Sequence, residues 1–124
     1  RLDPGETPID TALREADAEV GLDPAAPTVV GELGHLNTIV SRSYNVPIVS
    51  VLDHRPRLEP RTGEVDRVFW TPVSDLTRPG TYRMERWGSP PMDRPLHFFE
   101  LDDETVWGAT AHMIVDLLTY SSRR

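Results

Sequence analysis

One stretch limits this chain more than any other: Arg1 to Leu22, Arg-Leu-Asp-Pro-Gly-Glu-Thr-Pro-Ile-Asp-Thr-Ala-Leu-Arg-Glu-Ala-Asp-Ala-Glu-Val-Gly-Leu. It carries signals for both ends of a helix. Asp3-Pro4-Gly5 is a turn, since proline pre-sets one dihedral and glycine supplies the unusual one. Thr7 is a good N-cap, and Pro8 suits the first helical position, where its missing N–H costs nothing. Asp10 lies in the first turn, on the favourable side of the helix dipole. Gly21 is the residue expected just past the C-terminus. The helix is therefore predicted from Pro8 to Val20.

At about 100° per residue, Ile9, Leu13, Ala16 and Val20 fall on one arc, with Ala12 at its edge. That arc is predicted to be the buried face. Glu15 and Glu19 are four apart, so they stack one turn above the other beside it. Two stacked carboxylates beside an apolar face suit a hard divalent cation. A bare Glu-x-x-x-Glu also describes an ordinary solvated acidic face.

The context adds to the pair. Glu6 is followed after seven residues by Arg14-Glu15, then by the small apolar Ala16, by Glu19, by Gly21 and by the apolar Leu22. This arrangement resembles the box of the Nudix hydrolase family: a glycine, five residues, Glu, seven residues, Arg-Glu, an aliphatic residue, any residue, Glu-Glu, any residue, Gly and an aliphatic residue. Two departures stand out. The opening glycine would fall one position before Arg1, and Ala18 takes the place of the first paired glutamate, usually a metal ligand in the family.

Further segments resemble one branch of that family, the coenzyme A pyrophosphatase-like enzymes. They are Val46-Pro47-Ile48-Val49, and Val106 to Ala111 following the aromatic run His97-Phe98-Phe99. Glu64, Val65, Val68, Phe69, Trp70, Pro72, Ser74 and Leu76 resemble the segment after the central strands in Nudix enzymes generally.

The resemblance implies an α/β fold, a Nudix-type α/β/α sandwich with a small mixed sheet. It also implies a region before the box, so residues 1–124 are expected to form one N-terminally incomplete domain whose early strands are lacking in this chain. The implied function is metal-dependent pyrophosphohydrolysis of a nucleoside diphosphate linked to another moiety, with coenzyme A or a related nucleotide as substrate. Glu15 and Glu19 would hold Mg²⁺ or Mn²⁺, with Glu15 also able to polarise water. Arg14 would hold Glu15 by a charge-assisted hydrogen bond, Glu6 would brace the loop by pairing with Arg14, and Glu64 would be an additional catalytic acid. The alternative is a catalytically impaired Nudix-fold module that binds nucleotides or regulates, motivated by Ala18.

Composition narrows the partners. Twenty acidic against 13 basic residues give a net charge of −7. That argues against a sequence-independent nucleic-acid binder, which needs surplus cations. All the basic residues are arginine, which suits bidentate phosphate recognition. Arg42, Arg55, Arg57 and Arg61 are candidates for that task, each also readable as a solvated residue. With no cysteine, disulfides and cysteine-based zinc sites are excluded, and a cytoplasmic location is expected. No apolar run is long enough to span a membrane as a helix. The expected partner is a small-molecule nucleotide diphosphate, with no nucleic acid and no membrane, and with a homodimer allowed.

Along the rest of the chain, strands are predicted at Thr28–Leu33, Val46–Leu52, Glu64–Trp70 and Pro95–Leu101, and another beginning near Tyr82. Gly34–Asn45 reads as a strand interrupted near Ser41-Arg42-Ser43, and Asp53–Gly63 as a loop. A short helical turn opens at Ser74, and a second long helix is predicted from Thr105 to about Ser121. Trp70 and Trp107 are assigned to the core, while Tyr82 and Trp87 could stack on a base. His35, His54, His97 and His112 lack ligand spacing, and His97 and His112 read as packed or rim residues.

Overall fold

The computed structural model describes residues 3–38 and 43–122. Its elements are α1 (Pro8–Val20), β1 (Thr28–Glu32), β2 (Leu36–Thr38), β3 (Ser43–Asn45), β4 (Ile48–Val51), α2 (Val73–Leu76), β5 (Tyr82–Trp87), β6 (Arg94–Glu100), β7 (Thr105–Trp107) and α3 (Ala109–Ser121). The class is α/β, with several small sheets, and every described register is antiparallel. Two compact units emerge: Arg1–His35 with Asn45–Trp70, and Leu36–Tyr44 with Thr71–Arg124.

The first unit holds α1 and the β1–β4 ladder. Thr28 faces Val51 and Glu32 faces Ile48, with a register shift between Val29 and Gly31. Pro47 is buried just before β4, as its missing N–H requires, and its carbonyl accepts from the Leu33 N–H at 3.0 Å. The predicted helix and β4 fall where their local signals put them. The apolar arc of α1 is less covered than expected. No α1 residue is fully buried, and Ile9 is 38% exposed. A two-stranded sheet is too narrow to close over the arc.

The segment predicted as a strand from Glu64 to Trp70 is not one. Thr62–Glu64 form a bend and turn, with the Val65 N–H on the Thr62 carbonyl at 3.3 Å. Residues 65–70 are irregular, with no ladder partner among the described residues. β-Branched and aromatic residues favour a pleated surface only where another strand offers one. Trp70, expected in the core, is 44% exposed beneath the Arg55 guanidinium, 5.7 Å from its ring centre.

In the second unit β6 is the central strand, with β5 and β7 on either side. Tyr82 pairs with Phe99 and Arg83 with Phe98, so the two phenylalanines occupy opposite faces. Phe99 (2% exposed), with His97 on the same strand face, joins Ala111 of α3 in the core. His97 accepts or donates at Nδ1 to the Tyr82 hydroxyl (2.7 Å) and meets His112 edge-on. Burial first, then the neighbouring His112, lower its pKa. Both are half-buried, in keeping with the packed or rim histidines the sequence indicates. On the other face, Phe98 lies among Trp87, Trp107 and the Arg83 guanidinium. Trp107 is 57% exposed there, not buried.

Two other expectations change. The second long helix starts at Ala109, because Thr105–Trp107 pair with Glu100–Phe98 as β7 and Gly108 (φ 72°) breaks the chain between them. The expected interruption between β2 and β3 includes Ser41 and Arg42, which lie outside the described residues. No helix among the described residues is long and apolar enough to cross a membrane.

Candidate active site

The chemistry-bearing residues of the first unit gather on α1 and on the loop that follows β4. The helix start is fixed by a reciprocal cap. Thr7 Oγ1 accepts from the Asp10 N–H at 3.1 Å, and the Asp10 carboxylate accepts from the Thr7 N–H at 3.3 Å. The preceding turn closes through the Glu6 N–H on the Asp3 carbonyl at 3.0 Å.

That turn delivers Glu6 to Arg14. Arg14 donates through Nε to Glu6 Oε2 (2.8 Å) and through Nη2 to Glu6 Oε1 (3.1 Å), a bidentate pair. The Asp3 N–H (2.8 Å) and the Thr11 hydroxyl (3.0 Å) also donate to Glu6 Oε1. These donors, Arg14 foremost, then Asp3, with Thr11 adding less, bring the Glu6 pKa from 4.5 down to about 2. Glu6, first among its neighbours, raises the Arg14 pKa in turn. The expected brace is thus present. The expected hydrogen bond from Arg14 to Glu15 is longer: Arg14 Nη2 lies 4.0 Å from Glu15 Oε1, an ionic contact only. The guanidinium fork has already closed on Glu6.

Glu15 and Glu19 are partly buried, and Ala18 between them is exposed. Among the described residues no side chain hydrogen-bonds to or pairs with the Glu19 carboxylate. Glu64, the remaining sequence candidate, is exposed in the turn at residues 62–64. It is not drawn into a cluster with the α1 acids: among the described residues no three His, Asp or Glu side chains are grouped to hold a metal. The donors on α1 therefore fit a hard cation taking one or two carboxylates, with waters and substrate phosphates completing its shell, and not an all-protein cage.

The loop after β4 supplies what the sequence did not reveal. It is fastened to the end of α1 by two backbone bonds, Glu59 N–H to the Val20 carbonyl (3.1 Å) and Arg61 N–H to the Glu19 carbonyl (2.8 Å). Gly21 (φ 78°) ends the helix and gives its N–H to the Asp17 carbonyl at 2.9 Å. The Arg61 guanidinium lies against it. A Cβ built on Gly21 would sit 2.7 Å from Arg61 Cζ and Nε and 2.8 Å from Nη2. One sequence signal pointed this way: α1 has no basic residue in its last turn, leaving the negative end of its dipole unanswered.

A small α/β chain with a capped helix, an Arg-Glu pair tied back to an upstream glutamate, and a second glutamate one turn on has the make-up of a Nudix domain. The NUDIX domain model matches residues 1–93 of the 124, and this chain belongs to the Nudix family. It is 35% identical over 103 residues to the mouse (Mus musculus) protein named peroxisomal coenzyme A diphosphatase NUDT7, covering 77% of this chain and 42% of that protein. It is 32% identical over 110 residues to the uncharacterized Nudix hydrolase NudL of Photorhabdus laumondii, covering 88% of this chain and 58% of NudL. To Nudix hydrolase 15, mitochondrial, of Arabidopsis thaliana it is 28% identical over 116 residues, or 85% and 39% of the two chains. The chain thus spans between about two fifths and three fifths of the length of these relatives.

Proposed function

We propose that this chain carries the catalytic helix of a metal-dependent pyrophosphohydrolase acting on a nucleoside diphosphate linked to another moiety, with coenzyme A or a close derivative as substrate. The observation that carries this reading is the bidentate Glu6–Arg14 pair, which locks the entry loop against the helix bearing Glu15 and Glu19. The similarity to a coenzyme A diphosphatase supports the substrate class. Bound Mg²⁺ or Mn²⁺ would neutralise and orient the diphosphate. Glu19 is the ligand we assign first, since its carboxylate has no protein partner among the described residues. Glu15 serves as second ligand or as the group that takes a proton from the attacking water. Arg14, held by Glu6, keeps a positive charge 4.0 Å from Glu15. Glu64 remains our candidate for the additional acid.

The test is incubation of the full-length protein with coenzyme A, ADP-ribose, NADH and nucleoside triphosphates in Mg²⁺ or Mn²⁺. Release of 3′,5′-ADP and phosphopantetheine from coenzyme A is the expected result, and Glu19→Gln abolishes it with the melting temperature unchanged. A wild-type protein that cleaves none of these substrates overturns the reading.

A second reading has one observation in its favour. Ala18 stands exposed where the family motif has a carboxylate, and no three acids are grouped among the described residues. A nucleotide-binding module without hydrolysis accounts for that. It predicts tight nucleotide binding with no metal requirement in calorimetry, where the enzyme needs the cation.

A further inference from the structure

The loop after β4 is tied to α1 at two particular places. The Arg61 N–H bonds the carbonyl of Glu19, the residue whose carboxylate is the first metal candidate, and the Arg61 side chain then folds over Gly21, two residues further on. Glycine is required there twice over. The backbone is left-handed at φ 78°, and the guanidinium occupies the space where any Cβ would project.

Most other strongly engaged arginines of the chain are taken up by carboxylates. Arg14 holds Glu6, Arg78 holds Asp75, Arg83 holds Glu100 and Arg86 holds Asp93. Arg61 has no ion pair or side-chain hydrogen bond among the described residues, in a chain with 20 acids to choose from. Its charge is answered by the carbonyl end of α1, which exerts a partial negative charge but does not use up the planar fork of N–H donors. The fork therefore lies over Gly21 with donors to spare, two residues along the backbone from Glu19. An arginine so placed is matched to the oxygens of a diphosphate, which it can take bidentately.

We propose that Arg61 is a substrate-binding residue, gripping the diphosphate of the nucleotide whose cation Glu19 holds, with Gly21 as the open seat that orients it. The inference rests on the functional reading above, in that it takes the ligand to be a nucleotide diphosphate at this end of α1. It assigns a residue outside the motif helix to that ligand. A role confined to helix capping would need only a positive charge, which lysine also has; phosphate gripping needs the fork.

The experiment is calorimetry of the full-length protein with α,β-methylene-ADP in Mg²⁺, against adenosine as the phosphate-free control. Melting temperatures are measured alongside for wild type, Arg61→Ala and Arg61→Lys. We expect Arg61→Ala to weaken α,β-methylene-ADP binding about ten-fold and Arg61→Lys to recover little of it, a loss on the scale of one charge-assisted bond. Arg61→Lys should melt with the wild type, and adenosine binding should be the same in all three. If Arg61→Lys binds the analogue as the wild type does, or if the wild type does not prefer it to adenosine, the inference is overturned. Should Arg61→Ala fail to fold, Arg61→Lys decides. Hydrolysis of the substrate panel is read separately. An Arg61-dependent grip without hydrolysis sinks the proposed activity and leaves this inference standing, and hydrolysis with an indifferent Arg61 does the reverse.

Discussion

Exchanging Gly21 for alanine probes the seat of Arg61 without touching the arginine, and Gly5→Ala provides its matched control. Both glycines are left-handed, at φ 78° and φ 82°, in the same unit, and each flanks α1. A Cβ at Gly5 meets nothing within 4 Å, whereas one at Gly21 meets three Arg61 atoms at 2.7–2.8 Å. The conformational cost is shared: a non-glycine residue in the left-handed region costs roughly 1–2 kcal/mol. With about 2.1 cal/mol/K of unfolding entropy per residue, a chain of this size should lose roughly 4–8 °C of melting temperature in either variant. Only Gly21→Ala must also push the guanidinium back, from 2.7 Å to the ordinary contact of 3.4 Å or more. A shift of that size takes a hydrogen-bond donor out of reach of an acceptor it was placed for. Differential scanning fluorimetry should therefore show similar losses for both. Calorimetry with α,β-methylene-ADP should show about three- to ten-fold weaker binding for Gly21→Ala alone, approaching loss of the Arg61 bond. In an Arg61→Ala background Gly21→Ala should add nothing further to the affinity loss, because the two act on one contact. Equal affinity losses at Gly5 and Gly21, or additive losses in the double variant, would refute the reasoning.

Other outcomes follow from the same geometry. Ala18→Glu restores a carboxylate at an exposed helix position next to Glu19, so Mn²⁺ should bind more tightly by calorimetry and hydrolysis at low Mg²⁺ should rise; unchanged metal affinity would separate this helix face from the metal site. Glu6 has its pKa lowered from 4.5 to about 2, so the stability it adds is fully present above 4.5 and drains away as pH falls through the folded value. The melting-temperature gap between wild type and Glu6→Gln should be constant from about pH 5.5 to neutrality and more than halved by about pH 3, and a gap unchanged at that pH would contradict the pairing. Phe99, 2% exposed, is the largest fully buried side chain among the described residues, and Phe99→Ala should cost about 3–5 kcal/mol in denaturant titration, with less than about 1 kcal/mol counting against its place in the core.

What could be read in advance was what local chemistry decides. Thr7, Pro8, Asp10 and Gly21 are all within one turn of the helix ends they set, and the structure puts α1 between them. The Glu6–Arg14 pair was legible as well, because the turn and helix that join the two are both local. Failures came where a partner distant in sequence decides. Thr105–Trp107 run on into the apolar pattern of α3 in sequence, yet β6 recruits them as a strand; Gly108, with β-branched Thr105 and Val106 before it, is the available clue. The run from Val65 to Trp70 has strand-forming residues, and no described strand pairs with it. Arg61 could be named as one of several phosphate candidates, but its place over Gly21 depends on a loop returning to α1, which no spacing rule encodes.

The placement of the aromatic residues also makes this protein convenient to observe. Its three tryptophans divide unevenly, Trp70 in the first unit and Trp87 with Trp107 in the second. Replacing the latter two with phenylalanine leaves a single indole in the unit that bears Glu15, Glu19 and Arg61. That indole is 44% exposed and has the guanidinium of Arg55, a residue of the same loop as Arg61, at 5.7 Å. Indole emission follows the polarity and charge around the ring. The colour of Trp70 fluorescence is thus a built-in optical gauge of how that loop sits, readable in real time during a stopped-flow titration without attaching any dye.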